Sequence, residues 1–116
     1  MAPNGTAEPR EVAADFWSKL HQDYPEFRGH VLIANFEVSK DWSSWERHPE
    51  GDEYVYLLSG AVTMVLDTDA GEQAIPLSSP GQFALIPRGT WHTARAQEPG
   101  RMLFVTPGHG TEHRAN

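Results

Sequence analysis

Between residues 30 and 106 apolar and polar positions alternate in short runs, whereas upstream of residue 23 the apolar positions recur at helical spacing. The alternating runs, 30–38, 53–59, 61–67, 82–87, 91–96 and 101–106, are rich in β-branched and aromatic residues and read as strands. Turn chemistry separates them at Pro49-Glu50-Gly51-Asp52, Ser59-Gly60, Asp69-Ala70-Gly71, Ser79-Pro80-Gly81, Pro87-Arg88-Gly89 and Glu98-Pro99-Gly100. Short strands so regularly punctuated predict an antiparallel sandwich or barrel, and the pattern has no second copy.

Upstream, Val12, Phe16 and Leu20 fall on one helical face, widened by Ala13 and Trp17. This predicts a short helix over 9–22, with Thr6 as cap, Pro9 in the first turn and Pro25 preventing its continuation. Residues 1–8 read as a flexible terminus, 9–107 as a single domain and 108–116 as a polar surface tail.

Composition narrows the function. The chain has 116 residues, 39% of them hydrophobic and 22% charged, which suits one domain with a modest core. Sixteen acidic residues against nine basic ones give a formal charge of −7, a poor match for nucleic acid or anionic membranes. No cysteine is present, which excludes disulfides and thiolate chemistry and leaves nitrogen and oxygen as metal donors. With no signal peptide and no long apolar run, a cytoplasmic protein is expected.

Those donors occur in a pattern. Glu46 and His48, two apart, share one face of an extended strand. The turn at residues 49–52 lets Glu53 face back toward His48, and Val55 and Leu57 then point inward with it, while Tyr54, Tyr56 and Leu58 point out. His92 follows the turn at Pro87-Arg88-Gly89, where a barrel mouth would bring it to meet the other three. Interior candidates are Val55, Leu57, Val62, Met64, Leu66, Phe83, Leu85 and Phe104. Trp45, Tyr54, Tyr56 and Trp91 fall on the opposite strand faces, for packing or subunit contact.

Glu46-Arg47-His48, Glu53 and Gly60 resemble the first cupin motif, and Gly81, Pro87, Gly89 and His92 resemble the second. The resemblance implies an all-β double-stranded β-helix, the cupin jelly-roll barrel, with one divalent metal ion on Glu46, His48, Glu53 and His92. The sequence departs from the family pattern at Glu46, where a histidine is usual, and at Ala96, where an asparagine often stands. Two carboxylates and two neutral imidazoles would neutralise a divalent ion, weakening it as a Lewis acid. In a second arrangement His48, Glu53 and His92 alone ligate, and Glu46 acts as general base.

The expected function is that of a metal-dependent enzyme acting on a small polar metabolite. Iron would favour dioxygenase chemistry; zinc, nickel or manganese would suit isomerase or lyase chemistry. The alternative is a non-catalytic cupin that binds or senses a small ligand. Arg88, Arg95 and Arg101 are candidates to clamp a substrate carboxylate, although surface arginines are more common. His109, Glu112 and His113 form a cluster in the tail that an exposed segment explains equally well. A homodimer is expected, paired through outer-face aromatics.

Overall fold

The computed structural model describes residues 1–11, 14–23 and 29–115. One helix, α1 (Phe16–Asp23), precedes seven strands: β1 (Leu32–Val38), β2 (Ser44–Arg47), β3 (Glu53–Thr68), β4 (Gly71–Leu77), β5 (Phe83–Ile86), β6 (His92–Thr106) and β7 (Glu112–Ala115). Among the described residues no helix is long and apolar enough to cross a membrane.

All strand pairings are antiparallel, and β3 and β6 each serve two layers. In one layer the N-terminal half of β3 lies between β5 and the C-terminal half of β6, with β1 beyond. In the other, the C-terminal half of β3 lies between β4 and the N-terminal half of β6, followed by β2 and β7. The core lies between the layers and includes Val55, Leu57, Met64, Ile86, Ala94, Met102 and Phe104.

The turns expected at Ser59-Gly60 and Glu98-Pro99-Gly100 are instead bends within β3 and β6, where the register shifts. Gly60 has φ 79°, and a Cβ there would stand 2.1 Å from the Pro99 carbonyl oxygen. Only glycine permits so close a backbone approach in that conformation. The inward phase also changes across this bulge: 53, 55 and 57 face the core before it, and 62, 64 and 66 after it.

Two other expectations are corrected, and two strands appear that the sequence pattern does not announce. The helix starts at Phe16 rather than Pro9, with the Asp15 carbonyl accepting from the Lys19 amide at 3.0 Å. Arg10 pairs with Glu8 and Asp23, at 3.0 and 2.6 Å, which lays the non-helical 9–11 stretch against the helix end. Val12, Ala13 and Pro25 lie outside the described residues. Phe83 and Leu85 face outward, at 52% and 43% exposure, because Ala84 pairs with inward-facing Val55. The strand β4 carries Pro76, which weakens its sequence signal but is tolerated on an edge strand. Finally, residues 112–115 form a strand on β2, exposed in its side chains but hydrogen-bonded through its backbone.

Candidate metal centre

Glu46 lies directly across the ladder from His92, so the pairing of β2 with β6 sets two of the four predicted residues side by side. His48 follows β2, and its carbonyl accepts from the Gly89 amide at 3.0 Å, tying together the turns that precede Glu53 and His92. A second tie runs from the Arg88 amide to Asp52 Oδ1 at 2.8 Å. Glu53 opens β3, with Val55 and Leu57 buried on its face as its alternation predicts. Each of the four offers one ligand atom, and these atoms all lie within 4.8 Å of one another. Among the described residues no other such group forms.

His92 and Glu53 are almost fully buried, His48 is 4% exposed, and the Glu46 side chain is 22% exposed toward the opening. His92 Nε2 lies 3.2 Å from Glu53 Oε1 and 3.6 Å from Glu46 Oε1; His48 Nε2 lies 3.4 Å from Glu53 Oε2 and 3.6 Å from Glu46 Oε1. These approaches are attractive, but His48 Nε2, His92 Nε2 and Glu53 Oε1 have no hydrogen-bond partner. Buried polar atoms are rarely left so, and three turned toward one another fit an ion between them. Two nitrogen and two oxygen donors suit iron, manganese, zinc or nickel.

The remaining atoms of these residues are committed. His92 Nδ1 donates to the Thr90 carbonyl at 2.9 Å. Thr111 Oγ1 donates to the Gly108 carbonyl at 2.8 Å, so it accepts from His48 Nδ1, also at 2.8 Å. Each neutral imidazole therefore keeps its Nε2 lone pair for the centre. Thr106 Oγ1 donates to Glu53 Oε2 at 2.5 Å, which leaves Oε1 as that carboxylate's free oxygen.

The electrostatics describe a site short of positive charge. Burial disfavours the imidazolium of His48, but Glu46 and Glu53 outweigh it and raise the pKa to about 8. His92 is likewise opposed by burial and raised to about 9 by the two carboxylates, with help from the Thr90 carbonyl. Burial disfavours the Glu46 and Glu53 carboxylates too, yet the histidines hold both well below the usual carboxylate range. Protons occupy the place that a cation would take.

Beside this group opens a cavity of about 800 Å³, lined by β1, β2 and β6 and by Leu20 of α1. Its wall holds Phe36, Trp42 and Phe104, with Trp42 stacked on Phe104 at 6.0 Å and 28°. Three lining residues, Gly108, Thr111 and His113, come from the C-terminal segment. His113 Nε2 sits 3.3 Å from Glu46 Oε2 at the rim.

The tail residues do not form their own cluster. His109 lies 3.9 Å from Glu50, Glu112 pairs with Arg47, and His113 faces the cavity. None of the candidate arginines lines the cavity: Arg88 is bound through its amide, Arg95 pairs with Asp41, and Arg101 with Asn35. Trp91 is sandwiched by the guanidinium groups of Arg47 and Arg114, each 4.7 Å from its ring centre. Sequence reasoning missed Thr106, Thr111 and the aromatic wall. Thr111 carries no local signal, since its role arises only once the tail pairs with β2.

Comparison with known proteins agrees with this architecture. A family model described as a cupin domain matches residues 32–106. No curated protein is significantly similar in sequence. Among solved structures, a cupin-2 domain containing protein from Shewanella frigidimarina is similar over 66% of this chain and 70% of its own, with 23% identity and a TM-score of 0.56. Hydroxypropylphosphonic acid epoxidase from S. wedmorenis matches over 67% of this chain at 15% identity and TM-score 0.56, and Bacillus subtilis oxalate decarboxylase over 73% at 18% identity and TM-score 0.58. The matches span only 44% of the epoxidase and 23% of the decarboxylase.

Proposed function

The chain belongs to the cupin family, and from that premise we propose that it is a metal-dependent enzyme acting on a small molecule in the 800 Å³ cavity. The ion sits on His48 Nε2, His92 Nε2, Glu53 Oε1 and Glu46 Oε1. The observation that carries this reading is the convergence of three buried, unpartnered polar atoms at the end of an open cavity. Fold neighbours support it: one is described with Mn(II) centres, another as an Fe(II) enzyme.

When bound, the ion supplies Lewis acidity and, as iron, access to dioxygenase chemistry; otherwise the reaction is of isomerase or lyase type. The chain's own groups do the rest. The Thr90 carbonyl and Thr111 hydroxyl hold the imidazoles in one tautomer and one orientation. Thr106 fixes Glu53 so that a single oxygen faces inward. Glu46 would hold the ion through Oε1; in the second arrangement it would stand beside the ion as general base, its Oε2 3.3 Å from His113 Nε2 at the rim.

Elemental analysis of protein purified without chelator or added metal tests the reading. About one divalent ion per chain is expected; none retained, with no uptake on titration, would overturn it. Glu46→Gln then separates the two roles of that residue. Loss of metal identifies Glu46 as a ligand, and retention of metal with loss of activity identifies it as the base.

The partner we propose beyond the substrate is a second copy of the chain. Ile33, Tyr54, Phe83 and Leu85, each at least 40% exposed, fall in adjoining rows of the outer sheet face: Ile33–Val105–Tyr54–Leu85 and Asn35–Leu103–Tyr56–Phe83. Neither row contains a charged residue, so the face offers no pattern for a dissimilar charged partner and suits an identical apolar one. Sedimentation should give a dimer that Phe83→Glu converts to monomer. A wild-type monomer at micromolar concentration would defeat this pairing.

A further inference from the structure

The cavity beside the centre has one polar end and a long apolar flank. Glu46, His48 and Glu53 stand at the polar end, while Phe36, Trp42 and Phe104 form the flank, extended by Leu20 and Leu32. Trp42 stacks on Phe104 at 28°, and Phe36 meets Phe104 tilted by 55° at 5.9 Å, so the flank is one contiguous aromatic cluster. Among the described residues no lysine or arginine lines this space, and its acids are Glu37, Glu46 and Glu53. A dianion would therefore be buried with carboxylates around it and no guanidinium or ammonium to answer its charge.

Size points the same way. Pockets of ~300–1,000 Å³ hold ligands of drug-like dimensions, so a two- or three-carbon acid would leave most of about 800 Å³ unfilled. Four protein donors on a six-coordinate ion leave about two positions, enough for a pair of neighbouring oxygens. We infer that the substrate is a flat, largely apolar hydroxy- or oxo-compound, uncharged or singly charged. It lies along the aromatic flank and presents two adjacent oxygens to the centre. This rests on the metal-dependent reading above, narrows its small molecule to an aromatic-like chelator, and departs from the small polar metabolite expected from sequence.

Zinc-loaded protein is titrated with tropolone, a flat hydroxyketone, and with oxalate, a compact dianion, each affinity being divided by that of the same chelator for free zinc. Tropolone should show an advantage of about tenfold. Trp42→Leu and Phe36→Leu should each reduce tropolone binding about three- to tenfold while leaving zinc and oxalate binding unchanged. Oxalate binding as well as tropolone, or tropolone binding indifferent to both variants, overturns the inference while the metal centre stands. Metal-free protein is titrated with 1-naphthol in parallel. Binding that weakens in Trp42→Leu supports the apolar flank even if zinc is never retained, in which case it is the metal reading that has failed.

Discussion

The two histidines of the centre are chemically alike and are held in unlike ways. His92 starts β6 directly after a turn, and its Nδ1 is fixed by the carbonyl of Thr90, two residues earlier. His48 leaves the end of β2, and its Nδ1 is fixed by Thr111, 63 residues later, from a segment that joins the site by strand pairing. One imidazole is therefore oriented by a local turn, the other by tertiary structure. The orientation of His92 should survive loss of the C-terminal pairing, and that of His48 should depend on residues 108–115.

Removing a donor ignores this difference and has the largest effect. His92→Ala, His48→Ala and Glu53→Ala should each abolish metal retention in elemental analysis, since among the described residues no other histidine or carboxylate joins the group. Wild-type metal content in any of them would mean that these are the wrong atoms. Thr111→Val exposes the asymmetry. It should weaken metal affinity by about 10- to 100-fold in competition titration, and Thr111→Ser should restore it. An unchanged affinity in Thr111→Val would show that His48 needs no tether.

Titration tests what the two imidazoles share. In metal-free protein His48 and His92 have pKa values raised to about 8 and about 9 from an ordinary 6.5, as burial is outweighed by Glu46 and Glu53. Because the folded values lie above the unfolded one, this stabilisation is complete below pH 6.5 and is lost as pH rises through 8 to 9. Denaturation midpoints of the metal-free protein should fall over that window, while metal affinity climbs as the competing protons leave. In NMR titrations both imidazoles should keep their protons above the ordinary 6.5, and titration of either one at or below it would contradict the assigned environments. The smallest effect belongs to His113→Ala. His113 touches only the outward oxygen of Glu46, so metal affinity should change less than about threefold.

Much of this was legible in the sequence, for reasons that differ by region. Alternation placed Glu53, Val55 and Leu57 inward because a strand half-buried on one side leaves that period in its residue types. The grouping of Glu46, His48, Glu53 and His92 was readable because turns at 49–52 and 87–89 frame it and because the joint spacing resembles the two cupin motifs. In the run 83–86 all four residues are apolar, so periodicity could not choose a face, and Ala84 and Ile86 proved to be the inner pair. Glycine at 60 reads as a tight turn and proves to be a bulge within β3, because both demand the same residue. The cavity was hidden for another reason: Phe36, Trp42 and Phe104 are far apart in the chain and signal only a core when read singly.

The strands β3 and β6 run unbroken from one layer into the other, crossing where Gly60 meets Pro99 and Gly100. Neither layer can come apart alone, since each borrows half of the same two strands. Unfolding should thus be all-or-none across the barrel, with amides of both layers exchanging hydrogen through one shared opening event. Most strand partners are also distant along the chain, as Leu32 with Thr106 and Glu46 with His92, and that predicts slow folding, in roughly the millisecond-to-second range of β barrels.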